Sequence, residues 1–122
     1  MKKQFPQRIE TKRLIGSMPT LADVSEYESM LQSKQFIDCY GVAFNKEEIY
    51  ERLISDIKYW EQHGFGPWFW RDKENKEFVG RAGLKSFLLD NKNEVELAYA
   101  IRPEYWGKGI AAEMSLISIE LN

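Results

Sequence analysis

The chain has 122 residues, and its 17 basic and 19 acidic side chains give a formal net charge of −2. This length suits one domain with a real core, and the charge balance lacks the basic excess of a nucleic-acid-binding surface. No apolar run approaches the roughly 20 residues of a membrane span, and the single cysteine, Cys39, excludes an intrachain disulfide and a cysteine-based metal cluster. The N-terminal stretch has no signal-peptide pattern, which favours a reducing cytoplasm with Cys39 as a buried thiol.

The first third of the chain predicts one strand and one helix. Residues 1–6 are expected to be loosely attached, and residues 8–17 (RIETKRLIGS) to form the first strand. Thr20 is a good N-cap, and the apolar spacing that follows it predicts a helix over residues 21–33. Residues 34–44 show no clean period, which predicts an irregular connection.

A second helix, over residues 46–62, has the clearest start in the chain. Asn45 and Glu48 have the spacing of a capping box, and Gly64 is a natural helix stop. The only histidine, His63, lies at the helix end, where a cation meets the helix dipole favourably. The sequence therefore predicts a structural role for His63.

Three strand-like segments follow, joined by short polar turns. The first is the aromatic run at residues 68–70, of which one face is expected in the core. The second is residues 78–87, whose internal Gly80 and Gly83 suggest a bulge or a close approach of two backbones. The third, residues 94–101, alternates apolar and polar positions. Short turns predict that the three strands form an antiparallel meander.

A glycine-containing turn then leads from this meander into a helix. Pro103 stops the strand, and Gly107 and Gly109 precede the apolar helical period that starts at Ile110. Helix N-termini present unpaired N–H groups and a positive dipole end, so they bind phosphate groups well. An alternative is that the glycines serve the turn geometry alone.

Two other phosphate-binding motifs can be weighed at the same turn. Gly107, Gly109 and Ala112 satisfy the dinucleotide fingerprint G-x-G-x-x-G/A, but that motif belongs after the first strand of a βαβ unit. The Walker pattern is absent from the sequence. The helical period still continues at Asn122, and the strand over residues 94–101 has no later strand to cover its outer edge. We therefore expect the chain to be a truncated part of a longer domain.

Four segments together resemble one protein family. Residues 10–14 (ETKRL), 64–70 (GFGPWFW), 78–84 (FVGRAGL) and 94–112 (EVELAYAIRPEYWGKGIAA) are similar to the GNAT superfamily of N-acetyltransferases, and most to its RimJ/RimL-like branch. The resemblance implies one α+β domain over residues 1–122. Its sheet is mixed and mainly antiparallel, in the order β-α-α-β-β-β-α, without the C-terminal part of the fold. In the superfamily motif Q/R-x-x-G-x-G/A, the first position falls on Trp106, a departure from the general pattern.

The resemblance implies acetyl-CoA as cosubstrate, no metal, and a set of cofactor-binding positions. Backbone N–H groups of residues 107–112 would cradle the pyrophosphate, and the strand stretch 99–101 would align the pantetheine arm and polarise the thioester carbonyl. A carboxylate on that strand often relays the proton in this superfamily, which makes Glu96 the first candidate and Glu94 the alternate. Either one can also be an ordinary exposed strand carboxylate. The implied cofactor-binding residues are Tyr99, Ala100, Ile101, Trp106, Gly107, Lys108, Gly109, Ile110, Ala111 and Ala112.

The resemblance favours an N-acetyltransferase that acts on a primary amine of a peptide N-terminus or a small molecule. The alternatives are a non-catalytic acyl-CoA-binding or interaction fragment and an unrelated α/β interaction module. The uncovered strand over residues 94–101 further predicts a homo-oligomer formed through the sheet edge. Neither nucleic acid nor a membrane is an expected partner.

Overall fold

The chain folds into a five-stranded antiparallel sheet with helices on both faces. The computed structural model describes the backbone of residues 4–89 and 92–121, and the side chains of residues 4–85 and 99–117. The strands are β1 (Arg8–Glu10), β2 (Leu14–Ser17), β3 (Pro67–Asp72), β4 (Phe78–Leu89) and β5 (Lys92–Ile101). The helices are α1 (Val24–Leu31), α2 (Lys34–Tyr40), α3 (Lys46–His63) and α4 (Ile110–Leu121), with short 3-10 turns at Leu21–Asp23 and Pro103–Tyr105. The strands lie in chain order, so β5 is an edge strand. These elements confirm the predicted α+β class.

The predicted first strand is a hairpin. Strand β1 turns back on β2, with Ile9 opposite Gly16, and the Thr11 N–H donates to the Leu14 carbonyl at 2.9 Å. The expectation of a loose N-terminus is also wrong for Phe5. Its ring is buried and stacks on Trp68 at a centroid distance of 5.7 Å. The sequence therefore correctly predicted extended structure over residues 8–17, but not the turn that divides it into two antiparallel strands.

Helix α2 lies where an irregular connection was predicted. Ser33 caps its start, since the Ser33 hydroxyl accepts a hydrogen bond from the Phe36 N–H at 3.2 Å. Gly41 ends the helix in the left-handed conformation, with φ of 72°. Phe36 is the buried residue of this short helix, so no apolar period is visible in the sequence. Cys39 is consequently exposed, and the expectation of a buried thiol is wrong.

Helix α3 begins and ends as predicted. The Asn45 side chain accepts a hydrogen bond from the Glu48 N–H at 2.8 Å, and the Glu48 side chain accepts one from the Asn45 N–H at 3.0 Å. Gly64 takes the left-handed conformation with φ of 75° and donates to the Trp60 carbonyl. His63, in the last turn, stacks on Tyr59 at a centroid distance of 4.1 Å. The capping rules therefore located this helix from sequence alone.

Two apolar cores lie on opposite faces of the sheet. Strand β3 shows the division, because the buried Trp68 and Trp70 belong to one core and the buried Phe69 to the other. The core beneath α1, α2 and α3 comprises Tyr27, Met30, Leu31, Phe36, Ile49, Leu53, Phe69 and Phe78. The core beneath α4 comprises Phe5, Leu14, Trp60, Trp68, Trp70, Val79, Ala82, Leu84, Ile101, Ile110 and Met114. The aromatic run is thus buried on both faces, more fully than the sequence predicted.

Gly80 and Gly83 mark close backbone approaches, as predicted. A Cβ at Gly80 would lie 2.4 Å from the Ala100 carbonyl oxygen, and one at Gly83 would lie 2.5 Å from the Gly66 oxygen. Real Cβ atoms essentially never approach so closely. These two glycines therefore let β4 lie tightly between its neighbours and fix the position of β5.

Candidate functional site

The junction between β5 and α4 has the geometry of an anion-binding loop. Gly107 and Gly109 adopt φ of 75° and 76°, a conformation that L side chains rarely take. The first hydrogen bond of α4 runs from the Glu113 N–H to the Gly109 carbonyl at 3.1 Å. The N–H groups of residues 110–112 therefore precede the helix's own bonding and are available to a ligand.

An open cleft of about 310 Å³ lies against this loop. We call it the junction cleft, and it is lined by Cys39, Tyr40, Tyr99, Ile101, Tyr105, Trp106, Gly107, Gly109, Ile110 and Ala111. Most of the cofactor-binding positions predicted from sequence thus border one cavity. Helix α2 adds Cys39 and Tyr40 to the lining, and neither residue was predicted from sequence as part of the site.

Exposed aromatic side chains are concentrated at this cleft. Tyr40, Tyr99 and Trp106 are 40%, 50% and 38% exposed, respectively. Single exposed aromatics are ordinary, but a group around a cavity is typical of a ligand-binding surface. The ring centroids of Tyr40 and Trp106 lie 6.4 Å apart across the cleft.

The edge of β5 enters the cleft at Ile101. The Arg102 N–H donates to the Val79 carbonyl at 2.8 Å. Because alternate residues of an antiparallel strand bond to the same neighbour, the N–H and C=O of Ile101 point away from β4. The Trp106 indole N–H donates to that outward carbonyl at 3.0 Å. One outward group of the edge strand is therefore held by a residue of the loop.

The other outward group of Ile101, its N–H, acts on the pKa of Tyr40. Burial raises the pKa of the Tyr40 hydroxyl, and the neighbouring Cys39 raises it further, while a hydrogen bond from the Ile101 backbone acts in the opposite direction. A backbone group that lowers the pKa of an acid acts as a donor, and on Ile101 that donor is the outward N–H. Phe36 stacks on the Tyr40 ring at 4.2 Å and fixes its position.

The β1–β2 turn braces the loop from behind. Arg13 donates through Nε to Glu113 Oε1 at 2.7 Å, and through a terminal guanidinium nitrogen to the Lys108 carbonyl at 2.9 Å. The Arg13 N–H donates to Glu113 Oε2 at 2.9 Å, and the Thr11 hydroxyl donates to the same oxygen. Partial burial by itself would raise the pKa of Glu113, but the bonds from Thr11 and Arg13 outweigh it and hold the pKa below its ordinary value.

A second cavity, of about 210 Å³, adjoins the junction cleft on the α1–α3 side of the sheet. We call it the side cavity, and it is lined by Tyr27, Leu31, Phe36, Tyr40, Val42, Phe44, Arg52, Arg81, Tyr99 and Ala100. Tyr40 and Tyr99 border both cavities. Two ligands bound in the two cavities would therefore meet at these tyrosines.

A buried ion pair stands beside the side cavity. Arg81 donates to both carboxylate oxygens of Asp56, at 2.6 and 2.9 Å, and Lys85 Nζ lies 3.4 Å from the same carboxylate. Asp56 is 2% exposed, so the paired guanidinium compensates a carboxylate that could not stand there alone. The pair ties α3 to β4 next to Ala100, which is the register partner of Arg81.

The remaining predicted site residues are placed as follows. Lys108 Nζ lies 5.6 Å from the centroid of the Tyr105 ring, and Ala112 is exposed on α4. The side chains of Glu94 and Glu96 lie outside the described residues. Their backbone register places Glu96 opposite Lys85 and Glu94 opposite Phe87. Their catalytic roles stay predictions.

Among residues 4–89 and 92–121, no helix is both long enough and apolar enough to cross a membrane. In the same part of the chain, no group of three or more His, Cys, Asp or Glu side chains is arranged to hold a metal ion.

Comparison with known proteins identifies relatives of the whole arrangement. The sequence pattern of the family described as the acetyltransferase (GNAT) domain matches residues 13–121. The uncharacterized N-acetyltransferase YoaA of Bacillus subtilis (strain 168) is 31% identical over 111 residues. That alignment covers 87% of this chain and 60% of YoaA, so the chain spans about three fifths of the length of that relative.

Solved structures share the fold at low sequence identity. An acetyltransferase from Agrobacterium tumefaciens str. C58 superposes with a TM-score of 0.78 at 22% identity, covering 96% of this chain and 66% of that one. A ribosomal-protein-S5-alanine acetyltransferase from Vibrio fischeri superposes with a TM-score of 0.66 at 15% identity, covering 93% of this chain and 65% of that one.

Proposed function

Because this chain belongs to the GNAT acetyltransferase family, we propose that it is an acetyl-CoA-dependent N-acetyltransferase that acts on a primary amine. The observation that carries the proposal is the junction cleft. There, a loop with two positive-φ glycines and a helix start meets the outward backbone groups of an edge strand. A long ligand with a phosphate group at one end and an amide chain at the other suits this combination.

The loop and the strand have separate roles in this proposal. The N–H groups of residues 107–112 bind the CoA pyrophosphate, since glycines at 107 and 109 let phosphate oxygens approach the backbone. The edge of β5 at residues 99–101 aligns the pantetheine arm. An outward N–H on this edge donates to the thioester carbonyl and stabilises the negative charge that develops on its oxygen.

The acetyl transfer itself needs a neutral amine. The amine nitrogen attacks the thioester carbonyl, the carbon–sulfur bond breaks, and CoA leaves as a thiolate that takes up a proton. In our proposal Glu96 accepts the amine proton, directly or through water, and Glu94 is the alternate base. Support comes from the register of β5, which places position 96 opposite Lys85, beside the ion pair of Asp56.

Calorimetry and a thiol assay test the proposal in two steps. Titration with acetyl-CoA should give saturable binding, and no binding at millimolar concentration would remove every CoA-based function. Thiol release from acetyl-CoA in the presence of an amine panel should then exceed release without amine. The Glu96→Gln variant should bind acetyl-CoA normally and lose amine-dependent release, while Glu94→Gln distinguishes the alternate base.

A second candidate function is acyl-CoA binding without turnover. It is favoured by the coverage of the relatives, because the chain spans 60% of YoaA and about two thirds of the Agrobacterium structure. Saturable binding of acetyl-CoA without amine-dependent thiol release would support this candidate over catalysis.

Other features of the proposal rest on the resemblance. We place the chain near the RimJ/RimL-like branch, and the likeness to a ribosomal-protein-S5-alanine acetyltransferase supports this at the level of fold. A peptide N-terminus and a small amine are both suitable acceptors for that branch. A cytoplasmic location and self-association through the β5 edge also remain part of the proposal.

A further inference from the structure

The side cavity is the place where an acceptor would meet the acetyl group, if the proposed function holds. Tyr40 and Tyr99 separate it from the junction cleft and border both spaces. An amine at this boundary would face a thioester held along the β5 edge. The amine end of the acceptor therefore belongs beside Tyr40 and Tyr99.

A third cavity also adjoins the side cavity, and it shares no lining residue with the junction cleft. Phe44, Arg52 and Arg81 border both the side cavity and an outer cleft along α3. The rest of the lining is mainly apolar and includes Tyr27, Leu31, Phe36 and Val42. A volume of about 210 Å³ suits a compact molecule with an apolar body.

The two arginines that line both the side cavity and the outer cleft differ in their charge balance. Arg81 is neutralised by its bidentate pair with Asp56. The Arg52 guanidinium instead lies over the Phe44 ring, 4.6 Å from its centroid. Among the residues whose side chains are described, no carboxylate forms an ion pair with Arg52 within 4.0 Å.

Two carboxylates lie near Arg52 in sequence, but neither forms an ion pair with it within 4.0 Å. Glu48 and Glu51 line the outer cleft together with Arg52. Glu48 Oε1 accepts the Asn45 N–H at 3.0 Å and so belongs to the helix cap. A planar guanidinium stacked on an aromatic ring is well suited to bind a ligand carboxylate through two parallel hydrogen bonds.

We infer that the acceptor is a compact primary amine with a carboxylate at the opposite end of an apolar body. The amine lies at Tyr40 and Tyr99, the apolar body packs against the apolar lining of the side cavity, and the carboxylate binds Arg52. This inference rests on the proposed function for the reaction, but the binding of the carboxylate to Arg52 can be measured without turnover.

A matched pair of probes tests the charge requirement. 4-(Aminomethyl)benzoate has the required groups at opposite ends of a ring, and 4-(aminomethyl)benzamide is its neutral counterpart. The wild type should acetylate the benzoate with a kcat/KM roughly ten- to a hundredfold higher, as a charged hydrogen-bonded pair implies. Arg52→Gln should abolish this preference, and Arg52→Lys should restore part of it. Lys58→Gln, an equal loss of charge elsewhere on α3, should leave the preference unchanged.

Binding of the reaction product separates this inference from the proposed function. The N-acetylated benzoate should bind the wild type with saturation in calorimetry and bind Arg52→Gln at least tenfold more weakly, whether or not acetylation is seen. Equal affinity in the two proteins, or no saturable binding to the wild type, overturns the inference. Faster acetylation of the benzamide, or of a tripeptide amide without a carboxylate, also overturns it but leaves an acetyltransferase. Product binding without acetylation of any amine overturns the proposed function alone.

Discussion

Arg13 and Glu113 are 100 residues apart in sequence, yet the Arg13 Nε lies 2.7 Å from Glu113 Oε1. The same guanidinium reaches the Lys108 carbonyl at 2.9 Å, inside the glycine-containing loop. Arg13 stands in the first-strand segment ETKRL, and Glu113 stands in the first turn of α4. Two segments of the family resemblance, far apart in the chain, are therefore parts of one structural unit that fixes the loop.

Arg13→Gln should weaken acetyl-CoA binding by releasing the loop. The variant loses the charged bonds to Glu113 and the Lys108 carbonyl, each worth on the order of 1 kcal/mol at a partly exposed position. We expect a roughly five- to tenfold higher Kd for acetyl-CoA in calorimetry. Arg8→Gln is the control, because Arg8 pairs with Glu10 on the exposed face of β1. Equal affinity in Arg13→Gln and Arg8→Gln would show that the loop does not need the brace.

The contacts of Thr11 and Arg13 with Glu113 also make the free energy of unfolding depend on pH. The pKa of Glu113 is lower in the folded chain than its usual value of about 4.3. The folded state thus binds this proton less readily than the unfolded state, so the contribution is full above the unfolded pKa and is lost as the pH falls through the folded pKa. Glu113→Gln should flatten the decline in unfolding free energy as the pH falls from about 5 towards the lowered pKa of the folded chain. Denaturant titrations at several pH values measure this, and a decline as steep as in the wild type would contradict it.

The sequence located the elements with strong local signals. The capping residues Asn45 and Glu48 and the stop at Gly64 fixed α3, and alternation fixed the meander. The hairpin over residues 8–17 was missed because its two short strands share one apolar pattern. Helix α2 was missed because it buries only Phe36. Tyr40 reaches the cleft only because α2 exists, so no sequence pattern could assign it to the site.

Contacts between residues far apart in the chain could not be predicted from the sequence either. The loop around Gly107 was identified from its glycines and its position after a strand. Its brace could not be identified in this way, because Arg13 and Glu113 meet only through the sheet order. Likewise, whether Arg52 forms an ion pair depends on which nearby carboxylates already bind other groups, and residue spacing does not predict that.

Gly107→Ala should weaken acetyl-CoA binding beyond what its effect on the stability of the fold explains. A Cβ at Gly107 meets no protein atom within 4 Å, so the cost to folding is the strain of φ at 75°, on the order of 1–2 kcal/mol. In our proposal the Cβ additionally projects into the space of the phosphates. Gly64→Ala is the matched control, because Gly64 has the same φ of 75° at the end of α3. Both variants should lose stability in thermal melts through the strained φ, while only Gly107→Ala raises the Kd for acetyl-CoA. A similar Kd in the two variants would contradict the cradle.

The edge position of β5 predicts self-association. Strand β5 pairs with β4 on one side only within the described sheet, and unpaired edges tend to recruit another strand. At Ile101 the outward carbonyl already accepts the Trp106 indole N–H, so pairing should start before this residue. We expect a concentration-dependent dimer in light scattering, and Val95→Pro should reduce it by removing an edge N–H. A monomer at all concentrations up to the millimolar range would refute the prediction.

Tyr40→Phe should strengthen acetyl-CoA binding. The Ile101 N–H lowers the pKa of the Tyr40 hydroxyl as a hydrogen-bond donor does, and in our proposal this edge of β5 binds the acyl-pantetheine arm. The hydroxyl and the ligand then compete for one donor, whose hydrogen bond is worth about 1 kcal/mol, or roughly fivefold in affinity. The phenyl ring can keep its stacking on Phe36 at 4.2 Å, so the wall of the cleft is preserved.

Removal of a hydroxyl elsewhere provides the control for this variant. Tyr50 is 48% exposed on α3 and lines neither the junction cleft nor the side cavity, so Tyr50→Phe should leave the Kd for acetyl-CoA unchanged. Calorimetry on the three proteins gives the comparison. Weaker binding in Tyr40→Phe would mean that the hydroxyl contacts the ligand, because a group that only competes with the ligand cannot lower affinity when it is removed. A fivefold gain in affinity for acetyl-CoA, seen in Tyr40→Phe and not in Tyr50→Phe, would show that the ligand and the Tyr40 hydroxyl compete for the Ile101 N–H.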